Sequence, residues 1–185
     1  MRATVPRSTA LSELAVEHAA VRTLTDALTP EEMLLPDTVE YGLYSDQHLS
    51  FKDLLAHLIT YEAMTVAMME AWARGIKHPG IDAMRDYRES VRIHYGGIAE
   101  RRDHPLPQVL EEAENTRNAL MQAIRDTTDE AWHAPFPTEP GLDLGGAVEV
   151  ILVAPPRPPY RHLPVHVPDA DGYIRKLKRL SGRAG

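Results

Sequence analysis

The sequence predicts an all-α fold, an up-and-down helix bundle in which residues 1–185 form a single domain. Three observations predict it. Apolar residues recur at steps of three and four through several long segments, the period of an amphipathic helix. The breaks between these segments carry helix-start and helix-stop residues. The chain has 185 residues, 43% of them hydrophobic and 25% charged, which suffices for one closed core. Four or five such segments with short connections pack most simply as a bundle.

Each element can be justified in turn. Leu11, Leu14, His18, Val21 and Leu28, with Leu24 or Thr25 between, set a first helix from about Thr9 to Leu28. Thr29-Pro30-Glu31-Glu32 reads as a fresh start, with Thr29 as cap, Pro30 in the first turn and Glu32 closing a capping box. A loop follows over 36–49. Ser50 then caps the second long helix, with Asp53 three residues on, and Leu54, Leu58, Tyr61, Thr65, Met68 and Trp72 form its stripe up to Gly75. Asp82 opens a third segment whose Met84, Tyr87, Val91, His94 and Ile98 share a face, weakened near its end by Gly96-Gly97.

Pro105 and Pro107 start the fourth long helix. Val109, Leu110, Ala113, Leu120 and Ile124 mark its inner face, and its extent reaches toward Trp132. Glu111, Glu112, Glu114, Arg117 and Arg125 mark a charged outer face. Pro135, Pro137 and Pro140 set a loop. The run Ala147 to Ala154 fits a short strand or a buried helix equally, because periodicity does not separate the two. Pro155, Pro156, Pro158 and Pro159 forbid helix, giving an irregular Pro-rich segment before the last helix. That helix runs from about Pro168, or earlier, to Leu180, with Tyr173, Ile174, Leu177 and Leu180 as its apolar positions.

Composition excludes several function classes. A net charge of -7 argues against nucleic-acid binding, and the basic tail from Arg175 to Arg183 reads as a solvated helix end. No stretch approaches the ~20 apolar residues of a membrane span, and the first residues carry no signal-peptide pattern, so the expected location is cytoplasmic. With no cysteine, a metal needs nitrogen or oxygen ligands, and thiol chemistry needs a thiol from outside.

Among nine histidines, three have suggestive placement. His57 lies on the inner side of the second helix, near Leu54, Tyr61 and Met64. His162 and His166 are four apart, which on a helix puts both rings on one face and suits a divalent metal. Pro164 and Pro168 leave two arrangements for this pair: an extended arm before a helix that begins at Pro168, or a helix from near Arg161 kinked at Pro168. Three inward imidazoles would leave open metal positions for water or substrate. Glu62 is a candidate general base or oxygen ligand near the same cavity. His18 and His94 read as packing residues, and His48, His78, His104 and His133 as loop or helix-end residues facing solvent. Glu149 reads as a supporting group or an outward-pointing side chain, and Met64, Met68 and Met69 as core fillers. The chain carries no P-loop, no GxGxxG after a strand, no HExxH and no GxSxG.

The stretch Leu49 to Gly75 resembles the second helix of DinB-like bundle proteins, through Ser50, Lys52, Asp53, Leu54, Leu55, His57 and Leu58. The stretch Ile81 to Trp132 is also similar, with its Pro105-Leu106-Pro107-Gln108-Val109-Leu110 start and its Asp129-Glu130-Ala131-Trp132 end. It looks closest to the ClbS/DfsB-type and mycothiol-dependent maleylpyruvate isomerase-type branches. The resemblance implies a DinB-like up-and-down four-helix bundle. It also implies a divalent metal, zinc or nickel, held by one histidine of the second helix and a His-x-x-x-His pair near the C-terminus. Carried over, these are His57, His162 and His166. It further implies a low-molecular-weight thiol cosubstrate, mycothiol or bacillithiol, in a transferase or isomerase acting on small molecules. Two other readings stand beside it: a non-catalytic protein that binds small electrophiles in the bundle cavity, and a metal-free homodimeric interaction module.

Overall fold

A computed structural model describes residues 4–39, 47–153 and 159–182 of the chain. Four long helices make the bundle: α1 (Arg7–Ala27), α3 (Phe51–Ala73), α5 (Tyr87–Arg101) and α6 (Leu106–Arg125). Short turns α2 (Pro30–Met33) and α4 (Gly80–Ala83) precede α3 and α5. The C-terminal part adds α7 (Asp129–His133), a hairpin of β1 (Pro135–Phe136) and β2 (Glu139–Asp143), then α8 (Leu144–Leu152), α9 (Leu163–His166) and α10 (Ala170–Leu180). No helix among the described residues is long and apolar enough to cross a membrane.

Helix α3 is the central element, packed against α5, α6 and α8, while α1 packs against α6 and α10. Its start is fixed by a capping box in which Ser50 Oγ accepts the Asp53 N–H and Asp53 Oδ2 accepts the Ser50 N–H. Its end is a Schellman motif: Gly75 (φ 72°) donates to the Trp72 carbonyl and Ile76 to that of Ala71. One apolar cluster gathers Leu24, Phe51, Leu55, Ile98, Val109, Leu163 and Leu177. A second gathers Leu14, Met68, Leu120, Trp132, Val148 and Ile151 at the other end. Burying each such side chain contributes about 1.5–3 kcal/mol.

The structure refines several expectations. The third segment is interrupted: α4 is a single turn, and α5 begins afresh where Asp86 accepts the N–H groups of Arg88 and Glu89. Gly96 and Gly97 do not end α5, because Gly97 permits a close approach to α3. A Cβ placed there would stand 1.8 Å from Thr60 Oγ1. The fourth helix stops at Arg125, and Thr128 caps the separate α7, which carries Trp132. Arg117 is not on an outer face: it is buried four residues after Ala113 and three before Leu120. The expected loop at Pro135–Pro140 contains the antiparallel hairpin, whose two short edge strands tolerate proline. The run from Ala147 is helix, continuing α8 from an Asp143 cap to Leu152, with Ala147, Val148, Ile151 and Leu152 buried. Glu149 is half-buried on it. Ala154, Pro155, Pro156 and Pro158 lie outside the described residues, as does Arg183. The last helix begins at Ala170, capped by Asp169.

Candidate metal centre

His57 is fully buried in the second turn of α3, where the apolar stripe turns it into the bundle. The other two candidate ligands come from α9, a single turn. Neither sequence arrangement for this pair holds, because the helix starts at Leu163 and stops at His166, between the two prolines. Pro164 falls in the first turn, where its missing N–H costs nothing. Val167 (φ -131°, ψ 79°) has already left the helix, as a residue before proline prefers. His162 is the N-cap and His166 the last helical residue, so the i, i+4 relation survives on one turn.

Their Nε2 atoms converge. His57 Nε2 lies 3.0 Å from His162 Nε2 and 3.1 Å from His166 Nε2, and the latter two are 3.0 Å apart. Three imidazole nitrogens in such a triangle cannot satisfy one another. Each presents either a proton or a lone pair, so at least one of the three contacts pairs like with like. His162 Nδ1 sits 2.6 Å from the Leu152 carbonyl oxygen, which can only accept. A proton is therefore on Nδ1, and in its neutral form the ring turns a bare lone pair toward the triangle. Protonating His57 is no remedy, since burial, and then the nearby His162, His94 and His166, hold its pKa well below the usual histidine value. A cation accepting all three lone pairs removes the conflict. Metal–nitrogen bonds of about 2.0–2.1 Å in a tetrahedral site place nitrogens about 3.3 Å apart, close to the spacing here. His57, His162 and His166 could thus hold a divalent metal ion, and no other His, Cys, Asp or Glu joins the group among the described residues.

Glu62 is not among the three converging groups. It is buried on α3 with Oε1 3.6 Å from Nε2 of His18 on α1. Of the other histidines, His48 is exposed and pairs with Asp37, and His78 Nδ1 accepts the Gly80 N–H.

Three further residues lie against the centre: Tyr61, expected near His57; His94, expected as a packing residue; and Glu17, which the pattern did not single out. The His94 ring of α5 packs against that of His57, centroids 3.9 Å apart and planes tilted by 46°, and its Nδ1 is 3.3 Å from the Tyr61 hydroxyl. Burial, then His166, lowers the His94 pKa to about 4. Tyr61 lies against His57 and His162 at 4.7 and 4.9 Å, and burial raises the pKa of its phenol. Glu17 of α1 accepts the main-chain N–H groups of His162 and Leu163 through one oxygen, at 2.8 and 2.9 Å. Burial pushes its pKa up to about 7 against the opposing pull of those two bonds. Glu17 did leave a signal: it follows Leu14 by three and precedes Val21 by four, a charged residue on the inner face. On the far side, His166 forms part of the wall of a cleft of about 200 Å³, shared with Thr38, Val167, Asp169, Tyr173 and Lys176.

The sequence pattern of the DinB superfamily matches residues 13–153. A crystal structure of an uncharacterised protein from Escherichia coli UTI89 superposes with a TM-score of 0.68. The superposition covers 96% of this chain and 95% of that one at 14% sequence identity, a likeness of fold alone. No curated protein matches the chain. The family match includes His57 and ends before His162 and His166, so the place of those two in the centre rests on the geometry above. The match names the superfamily and no branch within it. The chain belongs to the DinB superfamily.

Proposed function

We propose that this member of the DinB superfamily is a divalent-metal-dependent transferase or isomerase of small molecules that takes a low-molecular-weight thiol as cosubstrate. The observation that carries the reading is the Nε2 triangle of His57, His162 and His166. Three neutral nitrogen ligands leave a tetrahedral ion an open position, the arrangement of catalytic rather than structural sites. When bound, zinc or nickel would act as a Lewis acid that stabilises a thiolate near neutral pH. The absence of cysteine fits a thiol that arrives from outside, such as mycothiol or bacillithiol.

The chain's own residues would do the rest. Depressed basicity keeps His57 neutral at the centre. The Leu152 carbonyl holds the His162 tautomer. The cleft beside His166 suits a small substrate, being below the usual range of about 300–1,000 Å³ for drug-sized ligands. Glu62, buried on α3 beside His18, is the proposed acceptor of the thiol's proton.

The test is thiol consumption by zinc- or nickel-loaded protein with a panel of small electrophiles, compared with chelated protein and with His57→Ala and Glu62→Gln. Turnover lost on chelation and in His57→Ala supports the reading. Stoichiometric electrophile binding without turnover, unchanged by chelation, would replace it with a cavity-binding protein.

A further inference from the structure

We propose that Glu17 is the positioning residue of the metal centre, holding the His162–His166 turn in register from a helix at the other end of the chain. This rests on the metal reading above and deepens it.

A four-residue helix does not sustain itself, because forming a first turn is unfavourable without outside support. Helices α2, α3, α5, α7, α8 and α10 each open on a local side-chain cap: Thr29, Ser50, Asp86, Thr128, Asp143 and Asp169 respectively. Helix α9, like α1, α4 and α6, has none, and its N-cap is His162, whose ring is committed to the triangle and to Leu152. Within the turn, Val165 donates to the His162 carbonyl and Val167 to that of Leu163, and Pro164 has no N–H. The two leading N–H groups, of His162 and Leu163, both go to Oε1 of Glu17. One carboxylate oxygen on α1 thus accepts both leading N–H groups of the turn that carries two of the three candidate ligands.

His162 is thereby fixed at two points, its main chain by Glu17 and its ring by Leu152. The first also sets where α9 begins, and so where His166 falls one turn later. Glu17 is itself held rigidly, 4% exposed, while its Oε2 is buried and makes no hydrogen bond. A single acceptor atom is therefore what the turn uses, and glutamine supplies one while methionine, of similar size, supplies none.

The experiment is titration of metal-free wild type, Glu17→Gln and Glu17→Met with Co(II), reading affinity and the visible d–d bands, with circular dichroism as the check of folding. The expected result is a wild-type-like spectrum and near-wild-type affinity in Glu17→Gln. Glu17→Met is expected to show altered bands and a ten- to hundredfold weaker Kd, the usual scale for removing a group that orients a ligand. If Glu17→Met does not fold, Glu17→Asp, which withdraws the oxygen by one methylene, carries the same comparison and is expected to weaken binding at least tenfold. A Met or Asp variant that binds Co(II) with the wild-type spectrum and affinity overturns the role of Glu17 alone. A wild type that takes up no Co(II) overturns the metal reading itself, and this inference with it.

Discussion

The rings of His94 and His57 pack against one another, centroids 3.9 Å apart and planes tilted by 46°, although one belongs to α5 and the other to α3. The contact depends on how closely the two helices approach. Gly97, one turn beyond His94, sets that approach by leaving room for Thr60. The geometry of the centre is thus tied to a glycine that lines none of it.

Replacing Gly97 by alanine should therefore push α5 away from α3. The new Cβ would meet Thr60 Oγ1 at 1.8 Å and Thr60 Cβ at 2.7 Å, too close for a rotamer change to relieve. The expected loss is about 1–3 kcal/mol in urea denaturation, as for other overpacked contacts. Thr60→Ala should recover part of it in a double-mutant cycle, since the Oγ1 clash is removed and the Cβ contact remains.

The two rings also predict an acid limit for the metal-free protein. The His94 pKa falls from an ordinary 6.5 to about 4, and that of His57 is lowered well below 6.5, both chiefly by burial. Such groups contribute stability that is present above 6.5 and lost as pH falls through the folded-state values. Thermal melts in chelator, in a Glu17→Gln background that removes the opposing carboxylate, should show Tm dropping from about pH 6.5 to about pH 4, with a shallower drop when His94→Gln is added. Melts independent of pH over that range would contradict the burial of these rings.

Glu17 has the opposite sign. Its pKa is raised from 4.5 to about 7, so the stability it contributes is present below 4.5 and lost as pH rises through about 7. Glu17→Gln keeps an acceptor and cannot ionise. Relative to wild type it should gain stability between about pH 5 and about pH 8, measured by urea denaturation without metal.

At the start of α3, Ser50→Ala removes the acceptor for the Asp53 N–H and should cost about 1 kcal/mol of stability. His57 lies well inside the helix, so the same variant should leave metal affinity unchanged, which isothermal titration can check.

The helices were legible because their signals are local. Thr29 with Glu32, and Ser50 with Asp53, form the capping boxes that their spacing implies. His57 was legible from its place on the α3 stripe. The His162–His166 turn was not, because the two prolines suggested either no helix or a kinked one, whereas a single turn fits between them. Glu17 and His94 were obscured for a different reason: their contacts reach His162 and His57 across the bundle, and sequence spacing within one helix says nothing of that. The Pro135–Pro140 hairpin was hidden because proline marks both loops and edge strands.

The central claim is tested most directly by the metal content and zinc titration of tag-free protein, for wild type and for His57→Ala, His162→Ala and His166→Ala. The account predicts about one zinc per chain in the wild type, tight enough to raise Tm, and its loss in each variant. Wild-type protein that is metal-free as purified and takes up neither zinc nor nickel on titration would contradict it.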